Sequence, residues 1–257
     1  MTTKVIHFIR HGQSTSNLAQ TQYLAQQNIN PSHIDRTELM ALMYGVMNQP
    51  ENFDAPLTAV GKQEAVHTGR MMQQVPVELV CCSTLSRAMQ TAAMVFPKPN
   101  GQIVAMDEVR EFAGPPHSEQ RHPISALPEH LPSNLGIDFN LFDFSHVRQD
   151  ADKLWSPEEE SGASARQRAA TALRFLLSRP EKHIAVVAHT SFIRQCLLGR
   201  RNKAIKVMPP SARESLQVDF RNAEVRSVTL SSGAAAAGCE GEFIISPYVA
   251  SSDNSKL

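Results

Sequence analysis

The chain has 257 residues, 42% of them hydrophobic and 19% charged, the ordinary composition of a globular protein able to bury a sizeable core. Lys plus Arg and Asp plus Glu both number 25, a formal net charge of +0, which argues against an electrostatic nucleic-acid binder though not against a local basic pocket. No segment approaches the ~20 apolar residues of a membrane span, and Met1-Thr2-Thr3-Lys4 runs straight into a short apolar stretch without the long one of a signal peptide, so a cytoplasmic protein with no membrane partner is expected.

Residues 5–9 read as a buried strand that ends at Arg10-His11-Gly12. Residues 14–27 read as a polar helix and 35–47 as a more apolar one, stopped by Asn48-Gln49-Pro50. Thr58 can cap a helix over 59–74, followed by a short strand over 79–82. Cys81 and Cys82 would then face opposite sides of that strand. Neither they nor Cys196 and Cys239 form a Cys-x-x-Cys pair, so buried reduced thiols are expected rather than a zinc knuckle or disulfide framework. A helix over 86–96 stops at Pro97, and 103–106 is a third strand candidate.

The stretch 112–155 differs from its surroundings. It carries Pro115, Pro116, Pro123, Pro128 and Pro132 with short apolar runs between them, and reads as a lid-like excursion with a short helix near 124–131. A helix over 158–177, a strong strand over 183–188, a helix over 191–198 and a strand over 225–230 follow. Residues 231–241 are rich in Ala, Gly and Ser and read as flexible, and 247–257 as a flexible tail. Alternating strands and helices predict an α/β domain over 1–246 with a mostly parallel central sheet flanked by helices. Ligands of such sheets bind beyond the carboxyl ends of the strands, where Arg10-His11-Gly12 and His189 both fall.

Phosphoryl transfer needs a nucleophile, positive charge around the equatorial oxygens and an acid for the leaving group. A neutral imidazole at His11 is a good nucleophile at neutral pH, Arg10 offers a planar fork, and Gly12 allows a close turn. An attack by His11 needs an unprotonated nitrogen, and if His189 acts beside it as a charged or hydrogen-bonding partner the two rings are expected to differ in pKa. Arg87 falls in the first turn of a helix that follows a strand, a position that already favours anions. Taken singly, Arg87 reads as a solvated arginine, His189 as a structural histidine and Glu111 as a surface carboxylate.

The ordered set changes that reading. Arg10-His11-Gly12 with Asn17, Asp54-x-Pro56-Leu57-Thr58-x-x-Gly61, Ser83-x-Leu85-x-Arg87-x-x-Gln90-Thr91, Arg110-Glu111 and Val187-Ala188-His189 together resemble the histidine phosphatase superfamily, the phosphoglycerate-mutase-like proteins, over residues 4 to about 230. The segments Asp138-Phe139 to Leu154-Trp155 and Phe220 to Ser227 are most similar to its plant and fungal phosphoglycerate-mutase-like branch. The resemblance implies that His11 is the phosphorylated nucleophile, that Arg10, Arg87 and His189 line the phosphate pocket with Asn17 as a neighbouring donor, and that Glu111 is the acid and then the base. It implies a small phosphorylated substrate and no metal or organic cofactor. Where many members carry Gly after the second histidine this chain has Thr190, whose backbone N–H can still serve the phosphate but whose β-branched side chain is expected at the pocket entrance. Glu108 and Glu119 compete with Glu111 for the acid's role, and Arg110 and Arg121 are candidate extra anion contacts.

Other readings fit the same chain. A phosphoglycerate-type mutase shares the chemistry, but the aromatic-rich stretch of mutase-type members has no counterpart at 14–30, where Tyr23 is the only aromatic residue. A non-catalytic binding protein on the same fold need not keep Arg10, His11, Arg87, Glu111 and His189 together. A metal site at His117, Glu119 and His122 is a further reading.

Overall fold

The structure, a computed structural model, describes residues 3–114, 116–130, 137–233 and 240–248. Strand β1 (Thr3–Arg10) is the continuous apolar run at the start of the chain, and its partner β5 (His183–Ala188) is the second such run. They pair in parallel from Val5–His183 to Arg10–Ala188. Strand β2 (Leu79–Ser83) lies on the other side of β5, and β3 (Ile103–Met106) lies beside β2, both parallel. With β4 (Phe142–Asp143), β6 (Ile205–Val207), β7 (Val225–Ser232) and β8 (Phe243–Pro247) they form an eight-stranded sheet in the order β4-β3-β2-β5-β1-β7-β8-β6. Only β7 runs against its neighbours, among the described residues.

The central strands are mainly apolar because helices cover both of their faces. Alternate side chains enter different cores. Ile6, Phe8, Cys81, Ile184 and Val186 pack on one side with Leu173 and Leu176 of α6 (Gly162–Ser178). Ile9, Val80, Cys82, Ala185 and Val187 pack on the other, against Ala65 and Met72 of α3 (Ala59–Met72) and Ala88, Met89 and Ala92 of α4 (Ser86–Val95). Cys81 and Cys82 therefore do face opposite sides, and both are buried as free thiols, as is Cys196. Each large aliphatic side chain removed from water in this way contributes roughly 1.5–3 kcal/mol.

Helix α1 (Thr15–Gln26) begins at a capping box between Ser14 and Asn17, and α2 (Arg36–Met47) begins at Asp35, whose carboxylate accepts from the N–H groups of Thr37 and Glu38. The helix expected over 158–177 starts later, at Gly162, because Ser161 caps it by accepting from Ser164 N at 3.1 Å. The helix expected over 191–198 is instead one turn of α-helix, α7 (Thr190–Phe192), running into a π-turn (Ile193–Leu197).

The excursion after Phe112 is pinned to the body. Arg110 is fully buried and grips Asp152 with both terminal nitrogens, at 2.7 and 2.8 Å. Arg121 bonds Asp107 at 3.1 Å and the carbonyls of Asp150 and Gln149. Part of the excursion enters the sheet as β4, and a 3-10 turn (Ile124–Ala126) runs into the short helix α5 (Leu127–His130). Ser231 and Ser232, expected to be flexible, pair with Ile244 and Phe243 in β7 and β8. Of the expected tail, Pro247 ends β8 and Tyr248 N bonds Ser227 O at 3.0 Å, while 249–257 lie outside the described residues, as do 131–136, 234–239 and Cys239.

Candidate active site

Because β2, β5 and β1 are neighbours and parallel, the residues that follow them meet at one rim. His11 leaves β1, His189 leaves β5, and Arg87 stands in the first turn of α4 after β2. His11 N bonds Ala188 O at 3.0 Å, which locks the start of one loop against the end of the other strand. The Gly12 loop then presses against the start of α3. A Cβ on Gly12 would lie 2.4 Å from Gly61 O, and one on Gly61 would lie 2.1 Å from Gln13 O, so only glycine fits at either place. Thr91 Oγ1 accepts from Gly12 N at 3.0 Å and donates to Arg87 O at 2.7 Å, tying the His11 loop to the helix that carries Arg87.

The His11 ring is 4% exposed. Its Nδ1 lies 2.7 Å from Gly12 O, and a carbonyl can only accept, so Nδ1 carries the proton. Nε2 then presents its lone pair, to which Arg87 Nε–H donates at 3.3 Å. Burial, then the charges of Arg87 and Arg10, push the ring's proton affinity well below the usual histidine range, against a smaller opposing pull from the Gly12 carbonyl. The ring is thus neutral, with its nucleophilic nitrogen aimed at a guanidinium.

His189 is fully buried, its ring centroid 5.1 Å from that of His11. Its proton affinity is also pushed well down, first by burial and then by Arg87, His11, Arg110 and Arg10. The two rings shift in the same direction, because both sit in one desolvated cationic pocket. They differ in the partners of their ring nitrogens. His189 Nε2 lies 2.8 Å from Ser83 Oγ, which already accepts from Leu85 N at 3.2 Å. Among the described residues the Ser83 hydroxyl has no other acceptor, so it donates to Nε2 and leaves the proton on Nδ1, a buried atom with no partner.

The remaining sequence candidates fall around this pair. Arg10 Nη1 bonds Phe220 O at 2.7 Å, and its Nε is buried and unpartnered. Asn17 Oδ1 accepts from Ser14 N and from Asn222 Nδ2, both at 3.3 Å, and Asn222 Nδ2 also reaches His11 O at 3.3 Å. The Thr190 hydroxyl accepts from Phe220 N at 3.1 Å.

Glu111 is held at both carboxylate oxygens, by Phe112 N and Ser191 N at 3.1 Å each. Burial, then the nearby Glu119 charge, push its proton affinity up to about 7, against those two N–H groups and Arg87. Its two competitors stand differently. The Glu119 carboxylate bonds Arg87 Nη2 at 2.5 Å, and among the described residues no hydrogen bond joins Glu108 to His11, Arg87 or His189.

Arg110 and Arg121, the candidate anion contacts, are engaged within the protein: Arg110 by Asp152, with its Nε buried and unpartnered, and Arg121 by Asp107 with a row of carbonyls. His117, Glu119 and His122 do not converge either: His117 stacks on Trp155, Glu119 binds Arg87, and His122 stacks on His130 with centroids 3.7 Å apart. Sequence reasoning gave no role to Ser83, to Asn222, or to Arg168, which donates to the carbonyls of Glu108, Arg110 and Glu111 and pairs with Glu160. Ser83 and Asn222 lie inside segments quoted for the resemblance, which was the available signal; Arg168 gave none.

A neutral histidine, a second histidine and two arginines thus meet at the carboxyl rim of a mostly parallel sheet. Residues 47–237 match the model of the histidine phosphatase superfamily (branch 1), and the chain belongs to that family. The matched span contains Arg87, Glu111 and His189 and begins after His11.

Among its relatives, an Arabidopsis thaliana protein called phosphoglycerate mutase-like protein 1 is 27% identical over 206 residues, 69% of this chain and 71% of that one. A second from the same plant, phosphoglycerate mutase-like protein, is 24% identical over 257 residues, 88% and 84% of the two chains. Both agree with the expected plant branch. The fold is shared with solved structures described as mycobacterial hydrolase 2 (TM-score 0.52, 16% identity, 97% of this chain and 91% of that one) and Bacillus stearothermophilus YhfR (TM-score 0.51, 17% identity, 93% and 97%). Among the described residues no helix is long and apolar enough to cross a membrane.

Proposed function

We propose that the protein is a phosphatase that hydrolyses a small phosphomonoester through a phosphohistidine on His11. The observation that carries this reading is the tautomer of His11: Gly12 O fixes the proton on Nδ1, and Nε2 faces Arg87. In the first step Nε2 attacks phosphorus, the phosphorus–oxygen ester bond breaks, and Glu111 gives its proton to the leaving alkoxide. Arg87 Nε–H turns from the ring to the phosphoryl oxygens, joined by Arg10 and by the Nδ1–H of His189, with Asn17 and the Thr190 backbone N–H as neighbouring donors. In the second step Glu111, now a carboxylate, takes a proton from water, whose oxygen attacks phosphorus; the nitrogen–phosphorus bond breaks and orthophosphate leaves. A group titrating near 7 is suited to both halves.

Hydrolysis is preferred to mutase transfer because 14–30 lacks the aromatic-rich stretch of mutase-type members. Two arginines and two histidines neutralise the transferring group, so the reaction is expected to need no divalent cation and no organic cofactor. A screen of phosphorylated metabolites and an aryl phosphate in excess EDTA tests the reading. Turnover should persist in the chelator without a bisphosphorylated activator. A strict need for a divalent ion or for such an activator, or binding without turnover, would contradict it.

A further inference from the structure

Arg87 is 4% exposed, and each of its three nitrogens is engaged. Nε–H points to His11 at 3.3 Å, Nη1 to Ser118 O at 2.7 Å, and Nη2 to the Glu119 carboxylate at 2.5 Å. A guanidinium is planar with five hydrogens, so these contacts divide it into two edges. The Nε side looks into the site. The far end is held by the proline-rich excursion.

Glu119 is itself firmly placed. It closes a 3-10 turn (His117–Glu119) in which its N–H bonds Pro116 O at 3.0 Å. Its carbonyl accepts from Arg110 Nη2, the turn stacks on Trp155 through His117, and His117 N bonds Asn48 Oδ1 at 3.0 Å. Arg110 in turn grips Asp152. The lid therefore delivers one buried carboxylate to one guanidinium edge, and the nucleophile lies at the other edge.

We propose that Glu119 is a positioning residue: its carboxylate holds the far edge of the Arg87 guanidinium so that the near edge faces the phosphoryl group on His11. This rests on the phosphohistidine reading above and deepens it. The role has two consequences that a purely structural ion pair would lack. A fixed negative charge beside the site opposes phosphate binding while it orients the cation that phosphate needs, so removing the charge should tighten binding and slow turnover together. Glu119 is also the charge that, after burial, holds the proton on Glu111. The other groups around Glu111 are Arg10 from β1, Tyr44 from α2, Arg87 from α4, Arg168 from α6, and Arg194 and Cys196 from the π-turn. Of these, Arg87 and Tyr44 also feel the Glu119 charge.

The test is Glu119→Gln in the full chain, measured with an alkyl phosphate across pH and with inorganic phosphate as inhibitor, alone and in the Arg87→Ala background. Turnover near pH 7.5 should fall about tenfold, phosphate should inhibit severalfold more tightly, and the high-pH limb should move to lower pH. Because the residue acts through Arg87, the loss of turnover should largely vanish in the Arg87→Ala background. If Glu119→Gln does not fold, as judged by thermal unfolding, Glu119→Asp withdraws the carboxylate from Arg87 and should show the same non-additivity. Additive losses, or unchanged phosphate affinity with an unmoved limb, would overturn the assignment. Phosphoenzyme on wild-type His11 is read separately, so its absence would sink the phosphatase reading instead.

Discussion

Arg87 Nε donates to His11 Nε2 across 3.3 Å, so the attacking atom and the cation meant to receive the phosphoryl group already share one hydrogen. The contact does two things. It keeps a second proton off Nε2, and it places a donor where an equatorial phosphoryl oxygen would lie. Removing that donor should cost the transition state far more than the fold.

For Arg87→Ala, turnover should drop by ~10²-fold or more while the sheet remains intact. Arg87→Lys should recover only part of it, since a point charge cannot reach His11, Ser118 and Glu119 at once. Steady-state rates with circular dichroism as a folding control check this. A fully active Ala variant would show that another group carries the phosphoryl charge.

Glu111 must be protonated to serve as the acid. Its proton affinity is pushed up to about 7, so the competent fraction is lost as pH rises through that value. The histidine limb should lie below the usual histidine range, because both rings are pushed down. With an alkyl phosphate, kcat/KM should therefore fall above about pH 7. Glu111→Gln should abolish that limb and hurt alkyl phosphates far more than aryl phosphates, whose phenolates leave unaided. Equal losses for both substrates would remove Glu111 from the acid's role.

Ser83→Ala would leave His189 Nε2 buried without its partner, a cost of about 1–3 kcal/mol in stability. It should also free the ring to take either tautomer, lowering turnover roughly tenfold and weakening inhibition by phosphate. Thermal unfolding and phosphate inhibition measure the two effects. Unchanged phosphate affinity would mean that His189 Nδ1–H does not reach the ligand.

What could be read from the sequence follows burial. Residues of β1, β2 and β5 are buried on both faces, so they appear as mainly apolar runs that need no partner to be recognised. The strands β4, β6 and β8 went unrecognised. β4 and β6 span two and three residues, too few to show a period, and β8 is buried only at alternate positions, so their identity as strands comes from the neighbour they pair with. The same limit applies at the site. His11, Arg87 and His189 are each tied to the end of a recognisable strand. Arg110 and Arg121 looked like spare cations because Asp152 and Asp107 lie 42 and 14 residues away and meet them only in the fold. That one pocket desolvates both histidines, and that Ser83 bonds His189 alone, likewise comes only from the fold.

The most direct measurement is rapid quenching during turnover of a ³²P-labelled phosphomonoester, followed by mapping of the label. The label should be acid-labile and base-stable, as a phosphoramidate is, and should lie on His11. His11→Ala should lose both label and turnover, and His189→Ala should slow turnover without becoming the labelled site. Label on a serine, or undiminished turnover by the His11→Ala protein, would contradict the mechanism.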